Sequence, residues 1–409
     1  MVSEQTFVVV GASLAGAKAA EALRSGGFDG RILLIGDDPE RPYERPPLSK
    51  GFLLGKEPKE KAYVHPENFY AEQNIELRTS TSVTAVHRDR HEVELAGGER
   101  IRYDKLLLAT GAAPIRPRLP GADLPGVLYL RTMADSVALR AALERGGRVV
   151  IVGGGWIGLE VAAAARHYGC AVVLLEPLPA PLYRVLGLEL GGFYAQVHRD
   201  HGVDVRLGVG AAEFRGTDRV EAVVASDGTV LTADVVVVGV GARPNTALAE
   251  AAGLPVENGI LVDEFLRTAD PDIFAAGDVA NAYNPFYGTR IRVEHWANAQ
   301  DQGSAAAVSM LGRGEPFAKV PYFYSDQYDV GMVYSGLLNP EESYELVYRG
   351  SRDSGEFCVF WLKDGVVAAG MNVNVWDVHS DIRALIKSRT PVDPAKLADP
   401  GTPIAEAAR

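Results

Sequence analysis

Two stretches of the chain share one pattern of apolar, glycine and small residues. Each begins with an apolar, mostly β-branched run, continues through a glycine-rich turn and leads into a segment of small residues. The first is Phe7-Val-Val-Val-Gly11-Ala-Ser13-Leu-Ala-Gly16, and the second is Val149-Val-Ile-Val-Gly153-Gly-Gly155-Trp-Ile-Gly158. An unbroken apolar run is typical of a strand buried in a parallel sheet. The pattern therefore predicts two strand–turn–helix units, with helices over 15–23 and 159–168.

The rest of the pattern adds further elements around these two units. The loop over 39–50 is rich in proline, which excludes regular helix and central strand. Apolar strands ending in Gly/Pro crossovers are predicted within 103–114 and 234–245. From about residue 325 apolar and polar residues alternate, and a helix is predicted over 377–387, as in a small α+β domain. The Pro- and Ala-rich C-terminal tail is expected to lie over the surface.

The order of these elements predicts an α/β fold of three domains. Two are Rossmann-like dinucleotide-binding domains, one inserted in the other, and the third is a C-terminal α+β domain. The outer nucleotide domain is predicted to comprise 1–112 and 245–324, and the inserted one 113–244. The C-terminal domain is predicted over 325–409. The two crossovers would then connect the nucleotide domains.

Both glycine turns have the chemistry of a pyrophosphate-binding turn. The first glycine of such a motif allows a tight turn, the second lets the backbone approach the phosphates, and the third lets the helix pack on its strand. Free N–H groups and the helix dipole then favour the anion. In the first motif Ser13 replaces the middle glycine, and a small hydroxyl that can donate a hydrogen bond is compatible with binding. The alternative is that Gly11 and Gly16 merely permit close packing of strand and helix.

A carboxylate is expected after each unit to accept a hydrogen bond from a ribose hydroxyl. In the second unit it is Glu176, which ends an apolar run. In the first it is Asp37, with Asp38 as the nearby alternative. A carboxylate at Glu176 favours the free 2′-hydroxyl of NADH and repels the 2′-phosphate of NADPH, and no Arg or Lys follows directly.

Composition narrows the class of protein. The 409 residues carry a formal net charge of −12, which argues against nucleic acid as a main partner. No apolar run approaches the ~20 residues needed to span a bilayer, so no membrane partner is expected. The N-terminus enters a strand without a basic leader, which predicts a cytoplasmic protein. No cluster of residues predicts a metal site.

The two cysteines, Cys170 and Cys358, are far apart and belong to no CxxC pair. A flavoenzyme that reduces disulfides needs a thiol beside its flavin, and the first 169 residues contain no cysteine. The sequence therefore predicts electron delivery to another acceptor, and Cys170 is interpreted as a buried structural thiol.

Several motifs, in this order, resemble the NADH-dependent ferredoxin reductases that serve bacterial oxygenases and cytochromes P450. These enzymes have the glutathione-reductase-like fold with two dinucleotide domains, and the resemblance covers nearly the whole chain. The motifs that carry it, besides the glycine turns, are Arg45-Pro-Pro-Leu-Ser-Lys50, Ala109-Thr-Gly111, Gly277-Asp278, Glu294-His-Trp-Ala-Asn-Ala-Gln-Asp-Gln-Gly303 and Tyr322-Phe-Tyr-Ser-Asp-Gln327.

The resemblance implies FAD in the outer nucleotide domain and NADH in the inserted one. The residues that it and the motifs assign to FAD are Gly11, Ser13, Leu14, Ala15, Gly16, Asp37, Arg45, Lys50, Val83, Ala109, Thr110, Gly111, Arg131, Gly277, Asp278, Glu294, His295, Trp296 and Ala297. Those assigned to NAD(H) are Gly153, Gly155, Trp156, Ile157, Gly158, Glu160, Glu176, Gly239, Val240 and Gly241. The implied catalytic residues are Lys50, Glu160 and Trp296.

Each implied role has a plainer alternative. Lys50, implied to lie near the flavin and close to Glu160, could be a solvated loop lysine. Glu160 near a helix start is stabilised by the dipole in any case. Asp278, implied to bind the ribityl or pyrophosphate region, could be a simple turn residue, and Trp296 could be a core or interface residue. Trp156 either covers the flavin face until the nicotinamide displaces it or packs beneath the NAD domain.

The implied reaction is hydride transfer from NADH to FAD, followed by delivery of single electrons to a [2Fe–2S] ferredoxin. That ferredoxin would feed a cytochrome P450 or an aromatic-ring oxygenase. Alternatives are a rubredoxin reductase and an NADH-sensing flavoprotein like apoptosis-inducing factor. The protein is expected to be a monomer or a weak homodimer.

Overall fold

The computed structural model describes residues 5–339 and 341–408, and the chain divides into two compact units. Unit 1 comprises Met1–Pro46, Pro58–Ala113 and Ala242–Lys319. Unit 2 comprises Pro47–Glu57, Pro114–Gly241 and Val320–Arg409. No helix among the described residues is both long enough and apolar enough to cross a membrane.

The first segment of the chain builds a parallel sheet with a small antiparallel sheet beside it in sequence. Its elements are β1 Thr6–Val10, α1 Leu14–Ser25, β2 Arg31–Ile35, α2 Phe69–Glu72, β3 Ile75–Arg78, β4 Val83–His87, β5 Glu92–Leu95, β6 Arg100–Arg102, β7 Lys105–Leu108 and β8 Ala112–Pro114. Strands β4, β5 and β6 pair antiparallel. The predicted helix over 15–23 is confirmed and is slightly longer at both ends.

The second segment repeats this arrangement within unit 2. Its elements are β9 Val127–Leu128, α3 Met133–Glu144, β10 Arg148–Val152, α4 Trp156–His167, β11 Ala171–Glu176, α5 Tyr183–Asp200, β12 Val203–Leu207, β13 Ala211–Arg215, β14 Ala222–Ala225, β15 Val230–Thr232 and β16 Val235–Val238. Helix α5 is kinked at Gly187. Helix α4 begins three residues before the predicted start, directly after the glycine turn.

The third segment returns to unit 1 and completes its sheet. Its elements are β17 Ala242–Pro244, α6 Ala247–Ala251, β18 Ile260–Val262, β19 Ile273–Ala275, β20 Ala280–Asn284, β21 Thr289–Arg292 and α7 Trp296–Met310. The parallel sheet of unit 1 has the order β19-β7-β1-β2-β3, and that of unit 2 has the order β12-β11-β10-β16-β9. Both sheets are five-stranded, with β1 and β10 at their centres.

The last segment forms an antiparallel sheet with helices, as the alternating pattern predicts. Its elements are β22 Tyr322–Gln327, β23 Val330–Gly336, β24 Glu345–Ser351, β25 Glu356–Lys363, β26 Val366–Val373, α8 His379–Ser388 and α9 Pro394–Ala398. The sheet order is β22-β23-β26-β25-β24. The expectation for the C-terminal tail is wrong in part, because Leu397, Ile404 and Ala407 are buried.

Burial explains why the central strands have continuous apolar runs. Residues Val8 and Val9 of β1 and Val150 and Ile151 of β10 are at most 1% exposed, since helices cover both faces of a parallel sheet. The fold class is confirmed: two Rossmann-like halves and a C-terminal α+β sheet. The division into three domains with the boundaries given above stays a prediction.

Candidate functional site

The first glycine turn, between β1 and α1, has room for no side chain at its two glycines. Gly11 has φ +117°, and a Cβ on it would lie 2.1 Å from the carbonyl oxygen of Ala109. A Cβ on Gly16 would lie 2.0 Å from the Gly11 carbonyl oxygen. Backbone therefore packs on backbone, which brings the predicted Ala109-Thr110-Gly111 turn against the first motif.

Ser13 and Arg45 lie together at the start of α1. Ser13 is the N-cap residue of α1 and its side chain accepts no capping hydrogen bond, while the helix has no acidic residue in its first turn. The Arg45 guanidinium donates a hydrogen bond to the Ser13 hydroxyl oxygen. A helix start, a hydroxyl and a guanidinium together suit a pyrophosphate. The replacement of the middle glycine therefore contributes a polar group to the turn.

The structure distinguishes the two candidate carboxylates after β2. Asp38 accepts hydrogen bonds from the Tyr43 hydroxyl at 2.7 Å and from the backbone N–H of Glu40 at 3.0 Å. Asp37 is exposed at the end of β2. This placement favours Asp37 as the ribose acceptor. Val83 begins β4 two residues after Thr81, whose N–H donates to the Gly36 carbonyl oxygen at 2.8 Å.

The third segment brings its predicted residues against the start of α1. A Cβ on Gly303 of α7 would lie 2.3 Å from the Ala15 carbonyl oxygen. The backbone N–H of Gly277 donates to Gln302 Oε1 at 2.9 Å, which holds the Gly277-Asp278 turn to α7. Gln302 lies inside the 294–303 motif, but it is not one of the site residues that the sequence predicts.

Residues Glu294, His295, Trp296 and Ala297 form the start of α7, with His295 as its N-cap. Burial lowers the pKa of His295 to about 4, while the Asp278 carboxylate opposes that shift. His295 is therefore neutral near pH 7. These residues share unit 1 with the first glycine turn. Unit 1 thus has a turn for the phosphates, an exposed carboxylate and a guanidinium, a set that fits a dinucleotide.

The second glycine turn, between β10 and α4, repeats the first with one difference. Gly153 has φ +105°, and a Cβ on it would lie 2.4 Å from the Gly239 carbonyl oxygen. A Cβ on Gly158 would lie 2.0 Å from the Gly153 carbonyl oxygen. At Gly155 the nearest atom to a Cβ is 3.9 Å away, so the protein itself does not require glycine there. The open space beside Gly155 is where a pyrophosphate is expected to approach the backbone.

The Glu176 carboxylate lies beside this turn and is 7% exposed. Its Oε2 accepts from the Gly154 backbone N–H at 2.6 Å, and its Oε1 accepts from the Leu178 N–H at 2.9 Å. A carboxylate has about four acceptor positions, so two stay available for a ribose hydroxyl. The backbone of the glycine turn itself therefore orients Glu176.

Two apolar side chains beside the turn are unusually exposed. Ile157 and Val240 are each 41% exposed. Gly239, which precedes Val240, is held to β10 because its N–H donates to the Val152 carbonyl oxygen at 2.8 Å. Gly241, which follows Val240, has φ +114°. Exposed apolar residues next to a phosphate turn fit a site whose rings and sugars cover them when a dinucleotide binds.

Glu160 and Lys50 form an ion pair inside unit 2. Glu160 is 4% exposed on α4, and its Oε1 lies 2.7 Å from Lys50 Nζ. The Ser49 hydroxyl donates to Glu160 Oε2 at 2.5 Å. The segment that carries Ser49 and Lys50 is held because Leu53 is fully buried and the Ser136 hydroxyl donates to the Leu48 carbonyl oxygen at 2.7 Å. The predicted closeness of Lys50 to Glu160 is present, and the solvated alternative for Lys50 does not hold.

Not all residues assigned to FAD lie in the same unit. Lys50 and Arg131 belong to unit 2. Arg131 directly precedes α3, where its backbone N–H donates to the Asp135 carboxylate at 3.0 Å. The flavin contacts of Lys50, Arg131 and Trp296 stay predictions.

Trp156 is half-buried and packs against the apolar core of unit 2. Its ring lies 5.7 Å from that of Tyr194 and 5.0 Å from that of Phe323, both edge-to-face. Such pairs stabilise a fold by about 0.5–1.5 kcal/mol beyond the area they bury. These contacts support the packing role, and a flavin-covering role stays a prediction.

Both cysteines are buried and unpaired. Burial raises the pKa of the Cys170 thiol, and it raises that of Cys358 to about 11. A thiol rather than a thiolate at neutral pH is a poor nucleophile. Neither cysteine therefore has the properties of a disulfide-reducing residue.

Two dinucleotide turns in one chain, with a carboxylate beside each, define a flavoprotein oxidoreductase of the two-dinucleotide class. Residues 5–303 match the family model described as pyridine nucleotide-disulphide oxidoreductase, and residues 322–408 match the one described as reductase C-terminal. The chain belongs to the pyridine nucleotide-disulphide oxidoreductase family. Its cofactors are FAD and NAD(H).

Similarity to individual proteins is more specific than the match to the family. The chain is 42% identical to the anthranilate 1,2-dioxygenase system ferredoxin–NAD(+) reductase component of Burkholderia cepacia, covering 97% of this chain and 98% of that protein. It is 40% identical to putidaredoxin reductase CamA of Pseudomonas putida, covering 99% and 97%. In the crystal structure of a covalent putidaredoxin reductase–putidaredoxin complex, the matching chain has 38% identity and a TM-score of 0.94, with 98% of each chain covered.

NADH is expected to be preferred over NADPH by about tenfold or more in kcat/KM. The buried Glu176 carboxylate would repel a 2′-phosphate, whereas it can accept from a 2′-hydroxyl. Steady-state kinetics with both coenzymes measure this ratio. Glu176→Gln, which removes the charge and keeps one acceptor oxygen, should lower the ratio of kcat/KM for NADH to that for NADPH. Equal kcat/KM for the two coenzymes in the unmodified protein would contradict the assignment of Glu176.

Proposed function

We propose that the chain is an NADH-dependent ferredoxin reductase that passes single electrons to a [2Fe–2S] ferredoxin feeding a cytochrome P450 or an aromatic-ring oxygenase. The observation that carries the proposal is the presence of two dinucleotide turns in a chain whose cysteines are both buried. Without a reactive thiol, electrons leave directly to another protein. The names of the relatives, a dioxygenase-system component and a putidaredoxin reductase, support the same acceptor.

In unit 1 the protein's task is to hold FAD. The start of α1, Ser13 and Arg45 would bind the pyrophosphate, and Asp37 would accept from a ribose hydroxyl. Asp278, held against α7 through its neighbour Gly277, would contact the ribityl–pyrophosphate region. When bound, FAD supplies the conversion of a two-electron hydride donor into a one-electron donor.

In unit 2 the protein's task is to bind and orient NADH, because hydride transfer depends chiefly on the placement of the two rings. The second glycine turn would bind the pyrophosphate and Glu176 the adenosine ribose. Glu160 and Lys50 would position the nicotinamide end. Their mutual ion pair leaves no uncompensated buried charge before NADH arrives.

The proposal includes the predicted organisation of the chain. FAD binds mainly to 1–112 with 245–324, NADH binds to 113–244, and 325–409 form the third domain. We further propose a cytoplasmic location and a monomer or weak homodimer, with neither nucleic acid nor membrane as a partner. The net charge of −12 supports the exclusion of nucleic acid.

The decisive test is NADH-driven reduction of cytochrome c with and without a purified [2Fe–2S] ferredoxin. The ferredoxin is expected to raise the rate at least about tenfold, because it accepts single electrons and passes them on. A mixture lacking the flavoprotein is the control. The proposal fails if several such ferredoxins leave the rate at that of the flavoprotein alone.

The same assay separates the alternatives. Stimulation by rubredoxin and not by [2Fe–2S] ferredoxins would identify a rubredoxin reductase. Slow turnover with every acceptor, accompanied by long-lived reduced flavin, would instead favour an NADH-sensing protein like apoptosis-inducing factor. Measuring the flavin absorbance during turnover distinguishes these outcomes.

A further inference from the structure

The buried carboxylate Glu160 is held by a side chain from the last segment of the protein. The Ser325 hydroxyl, on β22, donates to Glu160 Oε1 at 2.6 Å. Ser325 is 1% exposed and Glu160 4% exposed. The same oxygen, Oε1, also lies 2.7 Å from Lys50 Nζ. Ser325 and Lys50 therefore share one oxygen of the carboxylate.

A hydrogen-bonded chain continues from Ser325 into the core of unit 2. Gln327 Nε2 donates to Ser325 Oγ at 3.1 Å. Gln327 Oε1 lies 2.9 Å from His198 Nε2, and the Tyr328 hydroxyl lies 3.3 Å from His198 Nδ1. Gln327 is 1% exposed and His198 is fully buried. The chain thus links β22 and α5 to the carboxylate on α4.

The donors in this chain all point toward Glu160. Because the Gln327 amide donates to Ser325, its oxygen must accept, which requires His198 to carry its proton on Nε2. His198 Nδ1 is then free to accept from Tyr328. A chain with one direction strengthens each bond through the polarisation of its neighbours. The Ser325 proton is committed to Glu160 because the Gln327 amide nitrogen can only donate, whereas the carboxylate accepts.

The strand register of β22 produces this arrangement. Phe323, Ser325 and Gln327 alternate along the strand and so share one face. On that face Phe323 packs against Trp156 of α4, and Ser325 reaches Glu160, one helical turn further on. The intervening Asp326 is exposed. One face of β22 therefore reaches α4 through Phe323 and Ser325, and α5 through Gln327.

We infer that Ser325 and Gln327 are positioning residues for the nicotinamide site, which fix the Glu160 carboxylate so that it holds Lys50. The inference rests on the proposed function, because it requires Glu160 to act in NADH binding. Neither residue needs to touch the coenzyme. Their effect on coenzyme binding comes through the orientation of the Glu160 carboxylate. The last segment of the chain thereby contributes to NADH recognition.

The test measures the NAD⁺ dissociation constant of the oxidised FAD-loaded protein by calorimetry, together with KM and kcat for NADH. Ser325→Ala is expected to weaken NAD⁺ binding about five- to tenfold, the size of one hydrogen bond of ordinary strength. NADH KM should rise by a similar factor with a smaller change in kcat. Gln327→Leu should act in the same direction, and Ser325→Thr should restore binding.

Ser335→Ala is the matched control. Ser335 lies on β23, is also 1% exposed, and among the described residues its hydroxyl has no hydrogen-bond partner. This variant removes the same atom from a neighbouring strand and should leave binding unchanged. If Ser325→Ala and Ser335→Ala behave alike, the positioning role is overturned. The melting temperatures of the variants identify any loss caused by unfolding, and Gln327→Leu then carries the test.

A double-mutant cycle separates failure of the inference from failure of the underlying assignment. Ser325→Ala should add little to the effect of Glu160→Ala, because Ser325 acts through that carboxylate. Additive effects would overturn the inference while leaving Glu160 in the NADH site. If Glu160→Ala itself leaves NAD⁺ binding unchanged, the role of Glu160 in the proposed function fails and the inference with it.

Discussion

Gly155→Ala is expected to fold with its full content of FAD and to raise the NADH KM by about 10- to 100-fold. A Cβ at this position meets no protein atom closer than 3.9 Å, and the backbone φ of −78° suits alanine. The added methyl group therefore costs nothing until a pyrophosphate approaches. The measurement is the NADH KM together with the NAD⁺ dissociation constant and the flavin absorbance per protein.

Gly158→Ala provides the contrast within the same turn. Its Cβ would lie 2.0 Å from the Gly153 carbonyl oxygen, so backbone must move. This variant should lower stability by about 1–3 kcal/mol or more, as overpacking does, besides impairing NADH binding. Gly192→Ala is the control for NADH binding, because Gly192 is exposed on α5 with no atom within 4 Å of a Cβ. Its stability should rise slightly, since alanine favours a helix more than glycine does.

Equal stability losses for Gly155→Ala and Gly158→Ala would contradict the steric difference between the two positions. An unchanged NADH KM for Gly155→Ala would contradict the approach of the pyrophosphate to this part of the turn. Ser13 occupies the corresponding position of the first turn, where the hydroxyl accepts from Arg45. The middle position of the motif therefore differs in role between the two turns. In the first turn it provides a side chain, whereas in the second it must leave the backbone accessible.

The free energy of unfolding is expected to fall by about 2 kcal/mol between pH 7.5 and pH 5 because of His198 alone. Burial lowers the pKa of His198 from 6.5 to about 4, with the nearby His201 lowering it further and the hydrogen bond to Gln327 opposing the shift. Between these two pKa values the unfolded chain binds the proton and the folded chain does not. Acid therefore favours unfolding, and the stabilisation is present above pH 6.5 and lost toward pH 4.

Three side chains lie close to His198, and they determine which variant it should be compared with. Tyr328 and Gln327 face it from the end of β22 and the turn that follows, and His201 lies on the same segment one helical turn away. His198→Gln removes the titrating group and keeps a polar side chain. Urea unfolding of both proteins at pH 7.5 and pH 5 should show their difference narrowing by about 2 kcal/mol at the lower pH.

The other histidines with lowered pKa are present in both proteins, so their contributions cancel in this comparison. They are His65, His295 and His379. Parallel pH profiles for the unmodified protein and the His198→Gln variant would show that folding does not lower the pKa of His198. His198 would then be protonated on both ring nitrogens at pH 5, and Nδ1 could not accept from Tyr328 as the hydrogen-bond chain requires.

Much of the nucleotide chemistry could be predicted from local sequence. The glycine turns, the helices that follow them and the carboxylates after the next strands all lie within short stretches, where backbone geometry depends on adjacent residues. Local sequence predicted Asp37 but left Asp38 open as an alternative, and the observation that separates them is not local. It depends on Tyr43, which hydrogen-bonds Asp38 from the proline-rich loop.

The sequence by itself therefore predicted which turns bind the two dinucleotides and determined that neither cysteine belongs to a CxxC motif. Only the tertiary structure decided what surrounds Glu160. Its partners Ser49 and Ser325 lie 111 and 165 positions away in sequence. Local patterns predict turns, helices and strands, whereas a hydrogen bond between distant strands and helices depends on register and packing, which form only when the whole unit folds.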